Sequence, residues 1–113
     1  MICEVAQIRA VKAYYDGSLG SRGAKLIEDY ADQPGHRGVA GAEYGFDPEA
    51  VEAYMAAGFQ AGIHAIGDAG VRRTIDAYEA AQTANGKRDS RHRIEHLEVM
   101  HTDDIPRLGA LEI

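Results

Sequence analysis

The sequence predicts an α/β fold made of parallel βα units. Short apolar runs near residues 8–14, 59–66 and 92–99 read as strands. Two segments with helical periodicity separate the later runs, and capping residues or glycines stand at the joints. A strand, loop, helix, strand, helix, strand, helix order, with a further strand beginning at "ALEI" (110–113), is the pattern of a parallel sheet with crossover helices.

Residues 8–14, "IRAVKAY", place Ile8, Ala10, Lys12 and Tyr14 on one face and Arg9, Val11 and Ala13 on the other, the period of a strand. Lys12 thereby shares a face with apolar residues and is expected to be buried, which a lysine tolerates only with a partner. From about 16 to 46 there is no sustained periodicity and glycine is concentrated, so this long stretch reads as a functional or mobile loop.

"DPEAVEAYMAAG" (47–58) reads as a helix with Asp47 as N-cap, Pro48 at the first helical position, Glu49 in the first turn and Gly58 past the end. Val51, Tyr54 and Met55 form its apolar stripe. "FQAGIHAIG" follows as a strand. The next segment, "DAGVRRTIDAYEAAQTANG" (68–86), is a helix with Asp68 as cap, Val71, Ile75 and Tyr78 on one face, and Gly86 as terminator. "HRIEHLEV" is strand-like around Ile94, and "HTDDIPRLG" begins a short helix at Thr102 or an aspartate.

The 113 residues have the size of one small domain, 1–113, and are 45% hydrophobic and 27% charged, which excludes disorder. A formal charge of −6 with dispersed basic residues argues against nucleic acid as a partner. No apolar stretch approaches the length of a membrane span, and the start has neither a basic region nor a long apolar core, so a cytoplasmic location is expected. The single cysteine, Cys3, permits no intrachain disulfide.

His64 stands at the end of the second strand, just before the segment that opens a helix, and His96 holds the equivalent place one βα unit later. Polar side chains at the carboxyl ends of adjacent parallel strands converge on one crevice. Two imidazoles there suit a divalent metal. In "HRIEH" a helix would also bring His92 and His96 to one face, but Arg93 stands where a zincin helix needs glutamate, and on a strand the pair is about 13 Å apart. His36 and His101 read as solvated. Asp68, four residues after His64, could orient a ligand as well as cap its helix.

"VKAYYDGSLGSRGA", then "GIHAIGDAGVRRTIDAYE", then "RIEHLEVM" resemble the amidohydrolase superfamily of metal-dependent hydrolases. The likeness is to the subgroup of N-substituted formamide deformylases and predicted amidohydrolases or exoenzyme regulatory proteins. It implies a segment of a (β/α)8 TIM barrel, strands four to six with the start of strand seven at "ALEI". It also implies that Lys12, carboxylated, bridges two metals, most simply zinc, while His64 and His96 hold the second. Desolvation of a buried lysine would favour the neutral amine that takes up carbon dioxide. The implied reaction is hydrolysis of an amide, formamide or related C–N bond in a small molecule by metal-activated water. Tyr14, Arg22 and Asp68 are the candidate substrate contacts.

The sequence departs from the family pattern in having no His-x-His and in ending before a final strand-eight aspartate. A complete barrel needs about 250 residues. The chain is therefore expected to be an incomplete barrel, inactive alone, that covers two open edges and an apolar inner face by self-association. The alternative is a noncatalytic regulatory or protein-binding module of the exoenzyme-regulator kind. An upstream His-x-His and a downstream aspartate in the full reading frame would separate the two.

Overall fold

The computed structural model describes residues 7–113, so Cys3 lies outside the described residues. Its elements are β1 (Ala10–Tyr14), a 3-10 turn (Gly41–Tyr44), α1 (Pro48–Ala56), β2 (Gln60–Ala65), α2 (Asp68–Asn85), β3 (Arg93–His96), a second 3-10 turn (Thr102–Asp104) and α3 (Ile105–Leu111). The three strands form an open parallel sheet in the order β1-β2-β3. Parallel pairing follows from the crossover helices, since α1 lies between β1 and β2 in sequence and α2 between β2 and β3.

Local chemistry sets the helix ends. Asp47 accepts a hydrogen bond from the Ala50 N–H at 3.1 Å and Pro48 occupies the first helical position, as expected for α1. Gly86 closes α2 with φ 82°, a left-handed backbone that glycine adopts without steric cost. The cap of α2 is Gly67, and Asp68 is the first helical residue, which corrects the expected cap by one position. The final strand at residues 110–113 is also corrected: Ala110 and Leu111 belong to α3, which ends where Glu112 turns left-handed at φ 57°.

One face of the sheet carries the helices. Ala61, Ile63 and Ala65 of β2 alternate into that side, where Val71, Ile75 and Tyr78 of α2 and Val51 and Met55 of α1 meet them. Ile63, Val71 and Ile75 are fully buried, and each such side chain contributes about 1.5–3 kcal/mol. The α2 stripe is as expected, whereas Tyr54 of the expected α1 stripe is 48% exposed.

The opposite face is open. Register places Lys12 beside Gly62 and Arg93, and Tyr14 beside His64 and Glu95, so that face is polar rather than apolar. Lys12 is exposed there, and it is Val11 and Ala13 that turn toward the core. The expectation of a buried Lys12 is thereby corrected, because alternation fixes which residues share a face but not which face the helices cover.

The glycine-rich loop is folded onto itself and onto α2. Gly17 N–H donates to Gly23 O, Leu26 N–H to Arg37 O, and Tyr30 Oη–H to Ala24 O. Lys25 O accepts from Ala69 and Gly70 N–H at 3.1 and 3.2 Å, which ties the loop to the first turn of α2. A Cβ on Gly67 would lie 1.9 Å from that same oxygen, so the close approach requires glycine. No helix among the described residues is long and apolar enough to cross a membrane.

Candidate metal centre

His64 is the penultimate residue of β2 and His96 the last of β3, so both stand at carboxyl ends of adjacent parallel strands. Their rings are 4.7 Å apart between centroids and inclined at 68°. Register pairs His96 with Ala65, and simple alternation would send its ring toward the helices with Ile94. Instead His96 and Leu97 both adopt left-handed backbone, at φ 77° and 50°, and the His96 ring meets His64. Left-handed conformations at non-glycine residues cost on the order of 1–3 kcal/mol and are concentrated at functional sites.

Tyr14 lies on the other side of His64, with ring centroids 5.2 Å apart. Lys12 Nζ sits 5.3 Å from the Tyr14 ring centroid. Lys12, Tyr14, His64 and His96 thus form one line of contacts across three strands, on the face that carries no helices.

The imidazole of His64 is held from behind. Its Nε2 is 3.4 Å from Gly17 O and 3.8 Å from Asp16 Oδ1. A carbonyl oxygen only accepts, so a hydrogen bond in this contact requires the ring proton on Nε2, which would leave the Nδ1 lone pair for a ligand. Asp16 itself has no exposed surface. Its Oδ1 accepts from Ile66 N–H at 2.9 Å, and its Oδ2 accepts from Gly67 N–H at 2.9 Å and from Lys25 N–H at 2.8 Å. Sequence reasoning missed this residue, whose only signal in the sequence is an aspartate two residues past a strand end in "YYDGS".

Two expected substrate contacts are engaged elsewhere. The Arg22 guanidinium pairs with Asp32 at 2.7 Å, and that bond, with the charge of Asp32, raises the Arg22 pKa. Asp68 Oδ1 accepts from Ile27 and Ala69 N–H, both at 2.9 Å, so it fastens the loop. His36 is also engaged, bonding Arg22 O and stacking on Tyr30, and His101 accepts from Asp103 N–H. His92 is buried on the helix side, stacked on Tyr78, which separates it from His96.

Imidazole nitrogens are ligands that zinc and related divalent ions accept, and the uncommitted Nδ1 of His64 beside the His96 ring fits such an ion. Two imidazoles are only part of a donor set. Among the described residues no group of three or more His, Cys, Asp and Glu side chains is placed to hold a metal.

The pattern of the amidohydrolase family matches residues 2–113. Protein LONG AFTER FAR-RED 3 of Arabidopsis thaliana is 40% identical over 117 aligned residues, covering all of this chain and 19% of its own length. An uncharacterized metal-dependent hydrolase from Pyrococcus furiosus has the same fold with a TM-score of 0.76 and 34% identity, covering 94% of this chain and 21% of its own. A second, from Pyrococcus horikoshii, gives 0.75 and 29%, over 94% and 20%. The chain spans about a fifth of the length of the curated relatives it matches, 19% in each case. With the family pattern running through the whole described sheet and its helices, the chain belongs to the amidohydrolase family.

Proposed function

We propose that the open sheet is an arc of a (β/α)8 barrel and that this chain supplies His64 and His96 to the metal centre of a hydrolase acting on amide, formamide or related C–N bonds. The contact between the two rings at adjacent strand ends carries this reading, supported by the family and by the metal-dependent hydrolases it resembles. A divalent metal bound there, zinc being the ion that imidazoles suit well, supplies Lewis acidity toward a carbonyl and toward water.

The chain's own residues do the rest of the work assigned here. His64 offers Nδ1 because its Nε2 faces the Gly17 carbonyl. His96 offers its ring from a left-handed strand end. Lys12, if carboxylated, would be a further holder of the metal, a role that rests on the family resemblance because the side chain is exposed rather than desolvated; its ammonium lies at the Tyr14 ring, which touches His64. Tyr14 is the proposed contact for a small amide-like substrate. Arg22 and Asp68 would first have to release Asp32 and Ile27.

The 113-residue chain alone is proposed not to turn over substrate, because two imidazoles do not complete a donor set and the sequence contains no His-x-His. Metal analysis after zinc reconstitution tests the site. Bound zinc is expected in the native chain and is lost in His64→Ala and in His96→Ala. Unchanged metal content in both variants would remove the site and leave a noncatalytic binding role.

A further inference from the structure

We infer that Asp16 is a positioning residue for His64, fixing its ring orientation and tautomer while it joins the glycine-rich loop to the end of β2. The carboxylate is fully enclosed, and all three of its backbone donors lie on segments that frame His64. Ile66 and Gly67 lie two and three residues after His64 in the chain, and Lys25 comes from the loop. The Tyr15 N–H donates to His64 O at 2.9 Å, so residues 15 to 17 grip His64 by its backbone, through the Asp16 carboxylate and through the Gly17 carbonyl.

The space is shaped for this carboxylate. A Cβ at Gly70 would come within 2.5 Å of Asp16 Oδ2, so the first turn of α2 closes over it only because that position is glycine. Oδ1 takes one backbone donor and keeps acceptor capacity on the side where His64 Nε2 stands 3.8 Å away. Two acceptors, this carboxylate and the Gly17 carbonyl, therefore face one ring nitrogen and favour a proton on it. An outer partner of this kind orients a histidine and leaves the other nitrogen as ligand.

The tautomer arm of the test needs no metal, whereas the affinity arm rests on His64 being a ligand as proposed above. Long-range proton–nitrogen NMR on the metal-free native chain is expected to show His64 protonated at Nε2. In Asp16→Asn the amide group presents an N–H to backbone donors, and the His64 signals are expected to shift toward a mixture of tautomers. Zinc affinity is expected to fall roughly 10–100-fold with it. Asp29→Asn serves as the comparison, since Asp29 holds Gly35 and Arg37 within the loop, and it should move neither readout.

A native His64 protonated at Nδ1 overturns the assignment, as does a folded Asp16→Asn with unchanged His64 signals and unchanged zinc affinity. Should Asp16→Asn fail to fold, Asp16→Glu, which keeps the charge and shifts it by one methylene, is read by the same criteria. A chain that binds no zinc but loses its Nε2 tautomer in the variant retains the positioning role and refutes only the metal site.

Discussion

The His64 and His96 rings are in contact, 4.7 Å between centroids, although the register of the sheet sets His96 opposite Ala65. The contact exists because His96 leaves the strand in a left-handed conformation, and Leu97 follows in the same region while its N–H bonds Ala65 O at 3.2 Å. A strained backbone held by a neighbouring strand and aimed at a second imidazole is a geometry that a bound ion would reward. A ligand that binds only the folded chain at 100 times its dissociation constant stabilises it by about 2.7 kcal/mol. Zinc is accordingly expected to raise the melting temperature of the native chain. The rise should vanish in His64→Ala and His96→Ala and persist in His36→Ala and His101→Ala, as read by scanning fluorimetry.

Two helical glycines should respond to alanine with opposite signs. At Gly109 in α3 an added Cβ meets nothing within 4 Å, so Gly109→Ala should gain the helix preference of alanine, about 0.5–1 kcal/mol. At Gly70 in α2 the same Cβ would lie 2.5 Å from Asp16 Oδ2. The preference gained is then outweighed by displacing a buried carboxylate from its donors, where each unpaired group costs about 1–3 kcal/mol. Gly70→Ala is expected to lose about 2 kcal/mol net in urea denaturation; a gain in stability would refute the close packing around Asp16.

Much of this fold was legible because long periodic segments carry redundant signals. Residues 68–86 have three apolar positions on one helical face and a closing glycine, and Val71, Ile75 and Tyr78 are indeed fully buried. "ALEI" was too short for its period to be read, and the chain there continues a helix instead. The alternation of β1 is legible in the sequence but its inward face is not, because Ala10 and Tyr14 on one face and Val11 and Ala13 on the other both carry apolar side chains. The length of a βα unit puts His64 and His96 at adjacent strand ends, but the swing of the His96 ring to His64 rests on a left-handed backbone that no periodicity signals. Asp16 was invisible because its partners are backbone N–H groups 9, 50 and 51 residues away, and a backbone donor has no letter in a sequence.

Buried His92 should make stability depend on pH. Its Nδ1 accepts from Ala61 N–H at 2.9 Å, and its ring stacks on Tyr78 at 5.1 Å and 16°. Burial, with the charge of Arg88 adding to it, lowers its pKa from the ordinary 6.5. The unfolded chain therefore takes up the proton first as pH falls. The stabilisation is complete above the ordinary value and is lost as pH drops through it toward the lower folded value. Thermal unfolding should show a falling midpoint from neutral pH to about pH 5, the side of the ordinary His pKa where the unfolded ring is charged. His92→Phe keeps the stacking but leaves Ala61 N–H unpaired, so it should be about 1 kcal/mol less stable at neutral pH and show a shallower decline. An identical slope in both proteins would assign the acid sensitivity elsewhere.

The outer edges of β1 and β3 pair with no strand among the described residues, and an open edge is a template for association. The polar open face weakens the case for association through it. The β1 edge is different, for it adjoins a groove of about 290 Å³ lined by Val11, Tyr14, Tyr44, Phe46 and Tyr54. Tyr14, Tyr44 and Tyr54 are 51%, 43% and 48% exposed, so the groove is rimmed by aromatic surface. The chain is expected to self-associate as concentration rises, and light scattering that finds a folded monomer at high concentration would contradict this. Tyr44→Lys and Tyr54→Lys place charge at the rim and replace no buried residue, so they should shift the chain toward monomer and leave its circular dichroism unchanged. Association that persists undiminished in the double variant would move the contact to the β3 edge, where Arg93 and Glu95 already form an exposed ion pair at 2.7 Å.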